Sequence, residues 1–399
     1  MCTKSRFLNK NMNPVRNNKT WYTFLLFMVS GVLLLAFFKN GASGPEAVSP
    51  TPPTPSPVTA PLSEVLVENL EIPWDIAFLP AQAGLSDGDM LVTERPGRIL
   101  LIGKNGSRKE IPHDGAKHAG EGGLLGLTLH PNFSKNNFLY IYLTAVGAEG
   151  LTVNRVERYR FTGSALVEKK TIIDGIPGAL YHDGGRIEFG PDGYLYITTG
   201  DATHSAWAED LKSLAGKTLR LKDDGSIPAD NPFGTAVYSY GHRNSQGLAW
   251  DSEGRLWSTE HGPSSSAWPD CCQDEVNIIE KGKNYGWPKS VGDTVLPATV
   301  APPLHSGRDV WAPASAAYLN GSLFFGGLRG EALYEAVLDG TRVKELKTHF
   351  YKEFGRIRTV RVGPDGLLYL TTSNRDDRGN PQSGDDKIIR VNPRLLSTQ

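Results

Sequence analysis

The sequence predicts an all-β protein, a six-bladed β-propeller, preceded by an N-terminal transmembrane or signal helix. After residue 62 one hairpin pattern recurs six times: an apolar alternating strand, a turn rich in Gly, Asp, Asn or Pro, and a second strand. Glycine (44 residues) and proline (27 residues) are abundant, as expected for short strands joined by tight turns. The helix is indicated by an 18-residue run without a charged side chain.

The uncharged run extends from Trp21 to Phe38 and follows a basic tail, residues 1–20. Its length is at the lower limit for a helix that crosses a bilayer, about 17–25 residues. Five cations precede the run and one follows it, which places the N-terminus in the cytoplasm and the rest of the chain at the outer face, periplasmic or extracellular. The alternative is a signal peptide cleaved near Gly41-Ala42-Ser43, which would release a secreted protein.

Residues 39–62 are predicted to form a linker, and residues 63–399 the folded domain. Seven prolines lie between Pro45 and Leu62, in a composition that stays extended and buries no core. Six Lys or Arg and no acidic residue precede Glu46, so the rest of the chain carries a formal charge of about −7. This balance gives no general basic surface for nucleic acid.

The six hairpins begin 45 to 68 residues apart, close to the period of propeller blades with insertions between the middle blades. They cover Ile76–Ile102, Gly126–Thr144, Arg186–Asp201, Gly247–Gly262, Ser315–Leu338 and Val360–Asn374. A β-sandwich of unrelated hairpins is the alternative. In a propeller, loops distant in sequence converge around the central channel, so the segments between the hairpins are the place to look for a functional site.

Those segments carry five motifs: HAGEGGLLGLTLHPNF (118–133), YHDGGRIEFGPDG (181–193), SYGHRNSQGLAW (239–250), TEHGPSSSAWPDCCQDEVNIIEKGKNYGWP (259–288) and FGRIRTVRVGPDG (354–366). In this order, and over about residues 65–392, they resemble the family of soluble glucose/sorbosone dehydrogenases that use pyrroloquinoline quinone (PQQ), which includes the aldose sugar dehydrogenases. The motifs are specific as a set, although each alone is weak.

The resemblance implies two catalytic residues. His182 matches the general base of the family, and an imidazole suits this role because its unperturbed pKa of about 6.5 lets it accept a proton near neutral pH. Arg243 matches the guanidinium that stabilises the charge developing at the reacting quinone carbonyl.

The resemblance also implies a PQQ site. PQQ carries three carboxylates, which favours forked cationic donors. Arg356 and Arg358 match the Arg-x-Arg pair of the family and would lie on one face of a strand. The other expected contacts are Asn244, Arg329 and Glu121.

Calcium is the second implied cofactor, and as a hard cation it takes oxygen ligands, including backbone carbonyls. The carbonyls of Gly262 and Pro263 match its ligands, with Asp274 beside PQQ. Glu275 and the carbonyl of Tyr285 match a second, structural calcium site.

Several positions depart from the family pattern. Glu121 stands where glucose-oxidising members have an amide, and a carboxylate near a trianionic cofactor needs a cation, a proton or distance. Tyr181 replaces an Asp before the base, and Ala202 replaces a Gln. These changes fit the broader aldose branch. Cys271 and Cys272 could form a disulfide or remain as two thiols, and no Cys/His spacing predicts zinc.

The sequence therefore predicts a PQQ- and calcium-dependent dehydrogenase that oxidises the C1 hydroxyl of aldoses to lactones and passes electrons to an external acceptor, a quinone or a redox protein. Two alternatives stay open at this point. One is a propeller that only binds a ligand or partner, and the other is a calcium-dependent lactonase without PQQ. No Gly-x-Gly-x-x-Gly follows a strand to support a nicotinamide cofactor.

Overall fold

The computed structural model describes residues 60–82, 85–264 and 271–398. Within these ranges the chain forms 24 β-strands and one short α-helix, α1 (Phe133–Asn136). Short 3-10 helices cover Ala148–Gly150, Ser205–Ala208 and Pro393–Thr398. The predicted tail, apolar segment and most of the linker lie outside the described residues. In the described ranges no helix has the length and apolar character needed to cross a membrane.

The strands form six four-stranded antiparallel sheets, here called blades 1 to 6. The first strand of the chain, β1 (Ser63–Val67), belongs to the last blade. Blade 1 contains β2 (Pro73–Phe78), β3 (Met90–Glu94), β4 (Arg98–Ile102) and β5 (Arg108–Ile111). Blade 2 contains β6 (Leu124–Leu129), β7 (Phe138–Val146), β8 (Thr152–Phe161) and β9 (Leu166–Pro177). Blade 3 contains β10 (Ile187–Phe189), β11 (Leu195–Thr198), β12 (Lys217–Leu221) and β13 (Val237–Tyr240).

The second half of the ring repeats this meander. Blade 4 contains β14 (Ser245–Trp250), β15 (Leu256–Glu260), β16 (Glu275–Ile279) and β17 (Leu304–His305). Blade 5 contains β18 (Pro313–Leu319), β19 (Ser322–Gly327), β20 (Ala332–Asp339) and β21 (Arg342–His349). Blade 6 contains β22 (Ile357–Val362), β23 (Leu368–Thr372) and β24 (Ile388–Val391), with β1 as its outermost strand.

The ring closes where the two ends of the folded chain meet in blade 6. Strand β1 pairs antiparallel with β24, with Ser63 opposite Val391 and Val65 opposite Ile389. Neighbouring blades contact each other around the ring mainly through their first strands, with β11 of blade 3 against β14 of blade 4 and β22 of blade 6 against β2 of blade 1. The all-β propeller with six blades, predicted from the hairpin repeat, is therefore confirmed.

The predicted hairpins correspond to the first strands of the blades, for a local reason. In blades 3, 4 and 6 the turn between the first two strands contains a glycine with φ of 77°, 76° and 73° at Gly193, Gly254 and Gly366. Residues with a side chain rarely adopt this backbone conformation, so glycine at this position allows the chain to reverse direction in a tight turn. Apolar residues alternating along these strands then pack between blades, as Ile187, Leu195 and Ile197 do.

A buried ionic network joins the first strands of several blades. The Asp75 carboxylate lies 2.5 Å from Nη1 of Arg186 and 3.0 Å from Nη2 of Arg361. Burial alone would raise the pKa of Asp75, but the two guanidinium groups hold it below its usual value. Arg186, the arginine of the motif that contains His182, therefore has a structural role between blades 1, 3 and 6.

Candidate active site

The loops at one end of the ring enclose a central cavity of about 660 Å³. Nine of the twelve residues predicted from the sequence line it: Glu121, His182, Arg243, Gly262, Pro263, Asp274, Arg329, Arg356 and Arg358. Arg358 lies in β22 and the other eight come from loops, and together they belong to five different blades, so the propeller brings together side chains more than 200 residues apart. Asn244 lies behind the cavity wall, where its side chain accepts a hydrogen bond from the Gly184 amide at 3.0 Å.

His182 occupies a left-handed backbone conformation, with φ of 65°, in the loop between β9 and β10. Gly200 makes this position possible, because a Cβ at residue 200 would lie 1.8 Å from the His182 carbonyl oxygen. The same carbonyl accepts a hydrogen bond from the Ala202 amide at 3.2 Å. The chain after β11 therefore packs directly against the predicted base and fixes its backbone.

Asp201 holds the ring of His182. Its Oδ1 lies 2.7 Å from Nδ1 of His182 and accepts a hydrogen bond from the Thr203 amide at 2.8 Å. Its Oδ2 accepts a hydrogen bond from Nε1 of Trp287 at 2.8 Å. Burial alone would raise the pKa of Asp201, but His182 and Trp287 hold it below its usual value. With Nδ1–H donated to this carboxylate, Nε2 of His182 is left to accept a proton.

Arg243 lines the cavity and is held by the loop that follows β15. Its guanidinium donates to the His261 carbonyl at 3.3 Å and to Oγ of Ser264 at 3.2 Å. Its backbone amide donates to the Glu260 carboxylate. These contacts leave the guanidinium fixed at the cavity, where it can stabilise negative charge.

Arg356 and Arg358 add a pair of buried cations to the cavity lining. Nε and Nη2 of Arg356 donate to Oδ2 of Asp376 at 3.1 and 2.8 Å. Nη1 of Arg358 donates to Oε1 of Gln246 at 3.1 Å. Burial lowers the pKa of Arg358 to about 9; Asp376 opposes this shift, whereas Arg95 and Arg356 add to it. An anion bound beside these groups would relieve their mutual repulsion.

The whole cavity carries an excess of positive charge. Its described lining contains six arginines and four carboxylates: Arg95, Arg243, Arg329, Arg356, Arg358 and Arg378, against Glu121, Asp274, Asp376 and Asp377. Arg95 was not predicted from the sequence. It directly follows β3, and its Nε donates to Nε2 of His118 at 3.2 Å. This donor set fits a ligand with several carboxylates.

The turn at Gly262 and Pro263 is held by Asp274. Oδ1 of Asp274 accepts a hydrogen bond from the Gly262 amide, and Oδ2 accepts hydrogen bonds from the amides of Trp311 and Ala312, all at 2.8 Å. Burial raises the pKa of Asp274 above its usual value. The Cβ of a residue at position 262 would lie 1.9 Å from the Cys272 carbonyl oxygen, so the close approach of the two segments requires glycine.

Glu275 and Tyr285 lie next to the central cavity rather than in it. They line a small void of about 10 Å³ together with Glu260. Glu275 and Glu260 are paired across strands β15 and β16, and burial together with the neighbouring Glu260 raises the pKa of Glu275. Carboxylate oxygens are the kind of donors that calcium prefers. Glu260 was not predicted from the sequence.

Among the described residues, no cluster of three or more His, Cys, Asp or Glu side chains forms a metal centre. The calcium ligands predicted at Gly262, Pro263 and Tyr285 are backbone carbonyls, a donor type outside such clusters. Cys271 and Cys272, for which the sequence left two possibilities, are joined by a disulfide. Cys272 lines the central cavity.

Glu121 lines the cavity, but partners within the protein occupy its carboxylate. Oε2 accepts a hydrogen bond from the His182 amide at 2.9 Å, and Oε1 from Nη1 of Arg378 at 2.7 Å. Burial alone would raise the pKa of Glu121, but His261, the His182 amide and Arg378 hold it at about 2. The group is therefore ionised and neutralised by Arg378, a residue that no sequence motif marked.

Comparison with known proteins gives consistent matches. The sequence model of the family Glucose / Sorbosone dehydrogenase matches residues 70–380. Aldose sugar dehydrogenase YliI of Escherichia coli (strain K12) is 33% identical over 367 residues, which cover 83% of this chain and 92% of that protein. Quinoprotein glucose dehydrogenase B of Acinetobacter calcoaceticus is 33% identical over 286 residues, or 62% of this chain and 57% of that protein. The PQQ-bound form of aldose sugar dehydrogenase from Streptomyces coelicolor superposes with a TM-score of 0.75 at 38% identity, and the match covers 82% of this chain and 97% of that one.

Proposed function

The chain belongs to the glucose/sorbosone dehydrogenase family and is a sugar dehydrogenase of the quinoprotein type, and from this premise we propose its reaction. It oxidises the C1 hydroxyl of cyclic aldoses to the lactone, with PQQ and calcium as cofactors, and passes the electrons to an external quinone or redox protein. One observation supports this most: the imidazole of His182, held by Asp201, shares one cavity with a cluster of guanidinium groups.

The donor set of the cavity fits PQQ. A planar ligand with three carboxylates needs several forked cations, and the lining has two more arginines than carboxylates. Arg329, Arg356 and Arg358 would hold the carboxylates, and Asp274 would contact the cofactor from a neighbouring loop. Asn244 lies behind the cavity wall, and its expected contact with the cofactor stays a prediction. A contact between Glu121 and PQQ stays a prediction.

When bound, PQQ supplies a two-electron acceptor, and calcium supplies a Lewis acid that polarises it. The proposed calcium ligands are the Gly262 and Pro263 carbonyls. Glu275 and the Tyr285 carbonyl are the proposed ligands of a second, structural calcium, where Glu260 would add a carboxylate. Glu260 and Glu275 are cross-strand partners, and burial together with Glu260 raises the pKa of Glu275, so a cation bound beside them would favour the ionised form of Glu275.

The protein groups perform the proton chemistry and the charge stabilisation. Nε2 of His182 accepts the proton of the C1 hydroxyl, and the C1 hydrogen leaves as hydride, with both electrons of the C1–H bond, to the acceptor that the bound cofactor would supply. The Asp201 carboxylate stabilises the imidazolium that forms and keeps the ring in the orientation that exposes Nε2. Arg243 stabilises the negative charge that develops at the acceptor.

The location of the enzyme follows from the N-terminal sequence. In this proposal, residues 21–38 anchor the chain in the cytoplasmic membrane or direct its secretion, residues 39–62 act as a spacer, and the propeller works outside the cytoplasm. This arrangement would place the aldose and the electron acceptor on the same side of the membrane as the cavity.

A dye-linked assay of the full-length apo-protein tests the proposed function. A panel of aldoses is offered with and without added PQQ, in the presence of calcium, and release of the lactone is measured together with reduction of the dye. We expect oxidation only with PQQ. Hydrolysis of added lactone without PQQ would instead support the lactonase, and PQQ binding without oxidation of any aldose would support a binding propeller.

A further inference from the structure

Three loops from different blades meet at Glu121. The loop before β6 contains Glu121, whose backbone amide donates to the Leu180 carbonyl in the loop before β10 at 2.8 Å. The His182 amide in that second loop donates back to the Glu121 carboxylate. Arg378, in the loop between β23 and β24, binds the other carboxylate oxygen, and its guanidinium carbon lies 5.2 Å from the ring centre of Tyr181.

The close approach of the first two loops is fixed by sequence. A Cβ at Gly120 would lie 2.1 Å from the Leu180 carbonyl oxygen, so any larger residue at position 120 would separate the loops. The Glu121 side chain is only 15% exposed, which favours a single orientation of its carboxylate. Glu121 therefore reaches the His182 amide from a rigid position.

His182 needs such a partner because its backbone leaves the regular strand pairing. His182 lies between β9 and β10 with φ of 65°, so no strand pairing supplies an acceptor for its amide, and a part-buried amide without an acceptor is unfavourable. Three protein groups thus hold the residue: Asp201 binds the ring, Ala202 binds the carbonyl and Glu121 binds the amide.

Arg378 explains how the Glu121 carboxylate can be accommodated beside the cavity. It neutralises Glu121 and engages the carboxylate oxygen that the His182 amide leaves open. Both oxygens of Glu121 are then committed to the protein, and the charge beside the anionic cofactor of the proposed reaction is compensated.

We propose that Glu121 is a positioning residue for His182, and that Arg378 holds Glu121 in the orientation this requires. Glu121 acts on the backbone of the base, and the pair with Arg378 links the base to the loop of blade 6. This inference rests on the proposed function for its kinetic consequences, but the contact with the His182 amide exists independently of it.

Kinetics of matched variants test the proposal. Glu121→Ala removes the acceptor, so kcat at saturating PQQ should fall by roughly 10²-fold, the effect of a displacement of about 1 Å at a reacting group. PQQ affinity, measured by direct titration, should change by less than about threefold. Glu121→Gln keeps an acceptor oxygen and should recover most of the lost kcat. Arg378→Ala should lower kcat more than Arg378→Lys, which keeps a cation.

A control variant excludes a general effect of breaking an ion pair. Glu64 binds Arg390 at 2.6 Å on the outer edge of blade 6, and Glu64→Ala should leave kcat unchanged. The proposal is wrong if Glu121→Ala weakens PQQ binding but retains parental turnover at saturating PQQ, because Glu121 would then be a cofactor ligand. It is also wrong if Glu121→Gln loses as much turnover as Glu121→Ala.

Hydrogen exchange at the His182 amide gives a readout that needs no activity. The rate, measured by NMR or on short peptides that contain residue 182, should rise in Glu121→Ala and stay near the parental rate in Glu121→Gln and Glu64→Ala. Equal exchange rates in all variants would overturn the positioning role. Should the parent protein oxidise no aldose, the proposed function fails, and the exchange data still decide whether Glu121 holds His182.

Discussion

Nδ1 of His182, in the loop before β10, lies 2.7 Å from Oδ1 of Asp201, in the loop after β11. Because Nδ1 is bound to this carboxylate, Nε2 is the imidazole nitrogen that is available to accept a proton in the cavity. Trp287 binds the other oxygen of Asp201 from the long loop of blade 4, so the orientation of the base depends on two blades.

The first prediction follows from this contact. Asp201→Asn should lower kcat by roughly 10²–10⁴-fold, the range of general acid–base catalysis, because the ring of His182 loses its orienting carboxylate. The kcat of the double variant Asp201→Asn/His182→Ala should be no lower than that of His182→Ala alone, since the effects of residues that act as one unit are not additive. Asp365→Asn, at a carboxylate that binds Tyr369 in blade 6, is the control. If steady-state kinetics show that the two losses of kcat add in the double variant, His182 and Asp201 do not act as one unit.

The second prediction concerns the cation cluster. Arg356→Ala removes a forked donor to a cofactor carboxylate, so PQQ affinity should weaken by about 1.5–3 kcal/mol, or roughly 10- to 150-fold in Kd. Turnover at saturating PQQ should change much less. Arg342→Ala, at an exposed arginine paired with Asp339, is the matched control. An unchanged Kd for Arg356→Ala, measured by fluorescence titration, would remove Arg356 from the cofactor site.

The third prediction concerns calcium. Treatment with a chelator should abolish both PQQ binding and turnover, and added calcium should restore them. Magnesium should restore them less well, because its smaller octahedral shell fits carbonyl ligands poorly. Titration of PQQ into the metal-free protein decides the point: parental affinity there would exclude a metal shared with the cofactor.

The fourth prediction concerns closure of the ring. The Leu62 carbonyl accepts a hydrogen bond from the Asn392 amide, and the Ala60 carbonyl accepts one from the Asn392 side chain. A chain that begins at Ala60 should therefore be soluble, with the Tm and activity of the propeller intact. A chain that begins at Glu68 lacks β1 and should have a lower Tm, since β24 loses its partner. Equal Tm values would show that β1 does not stabilise the ring, and an inactive Ala60 chain would place the domain boundary elsewhere.

Much of this architecture could be predicted from local sequence. Turn residues such as Gly193 and Gly366 and the alternation of the flanking strands are local signals, so the six hairpins were found. The pairing of β1 with β24 was not, because strands at opposite ends of the chain carry no local sign of their contact.

In the site, too, residues in local motifs could be predicted, whereas residues that act through contacts distant in sequence could not. His182, Arg243 and Arg356 lie in motifs and were predicted to converge. Asp201 and Arg378 were missed, because their roles depend on which loops the ring brings together. The Gly-Asp that follows β11 was a signal that could have identified Asp201, since a carboxylate at the end of a blade strand faces the loops of the cavity. Arg378 lies in a loop with no comparable signal.

The central claim, that His182 is the base of a PQQ-dependent aldose oxidation, is tested most directly by His182→Ala. With PQQ and calcium saturating, kcat for the best aldose of the panel should fall by roughly 10²–10⁴-fold. PQQ affinity should stay near the parental value, and His349→Ala, a histidine paired with Glu335 on the outer strand of blade 5, should retain kcat. Parental kcat in the His182→Ala protein would contradict the mechanism, even though the fold would be unaffected.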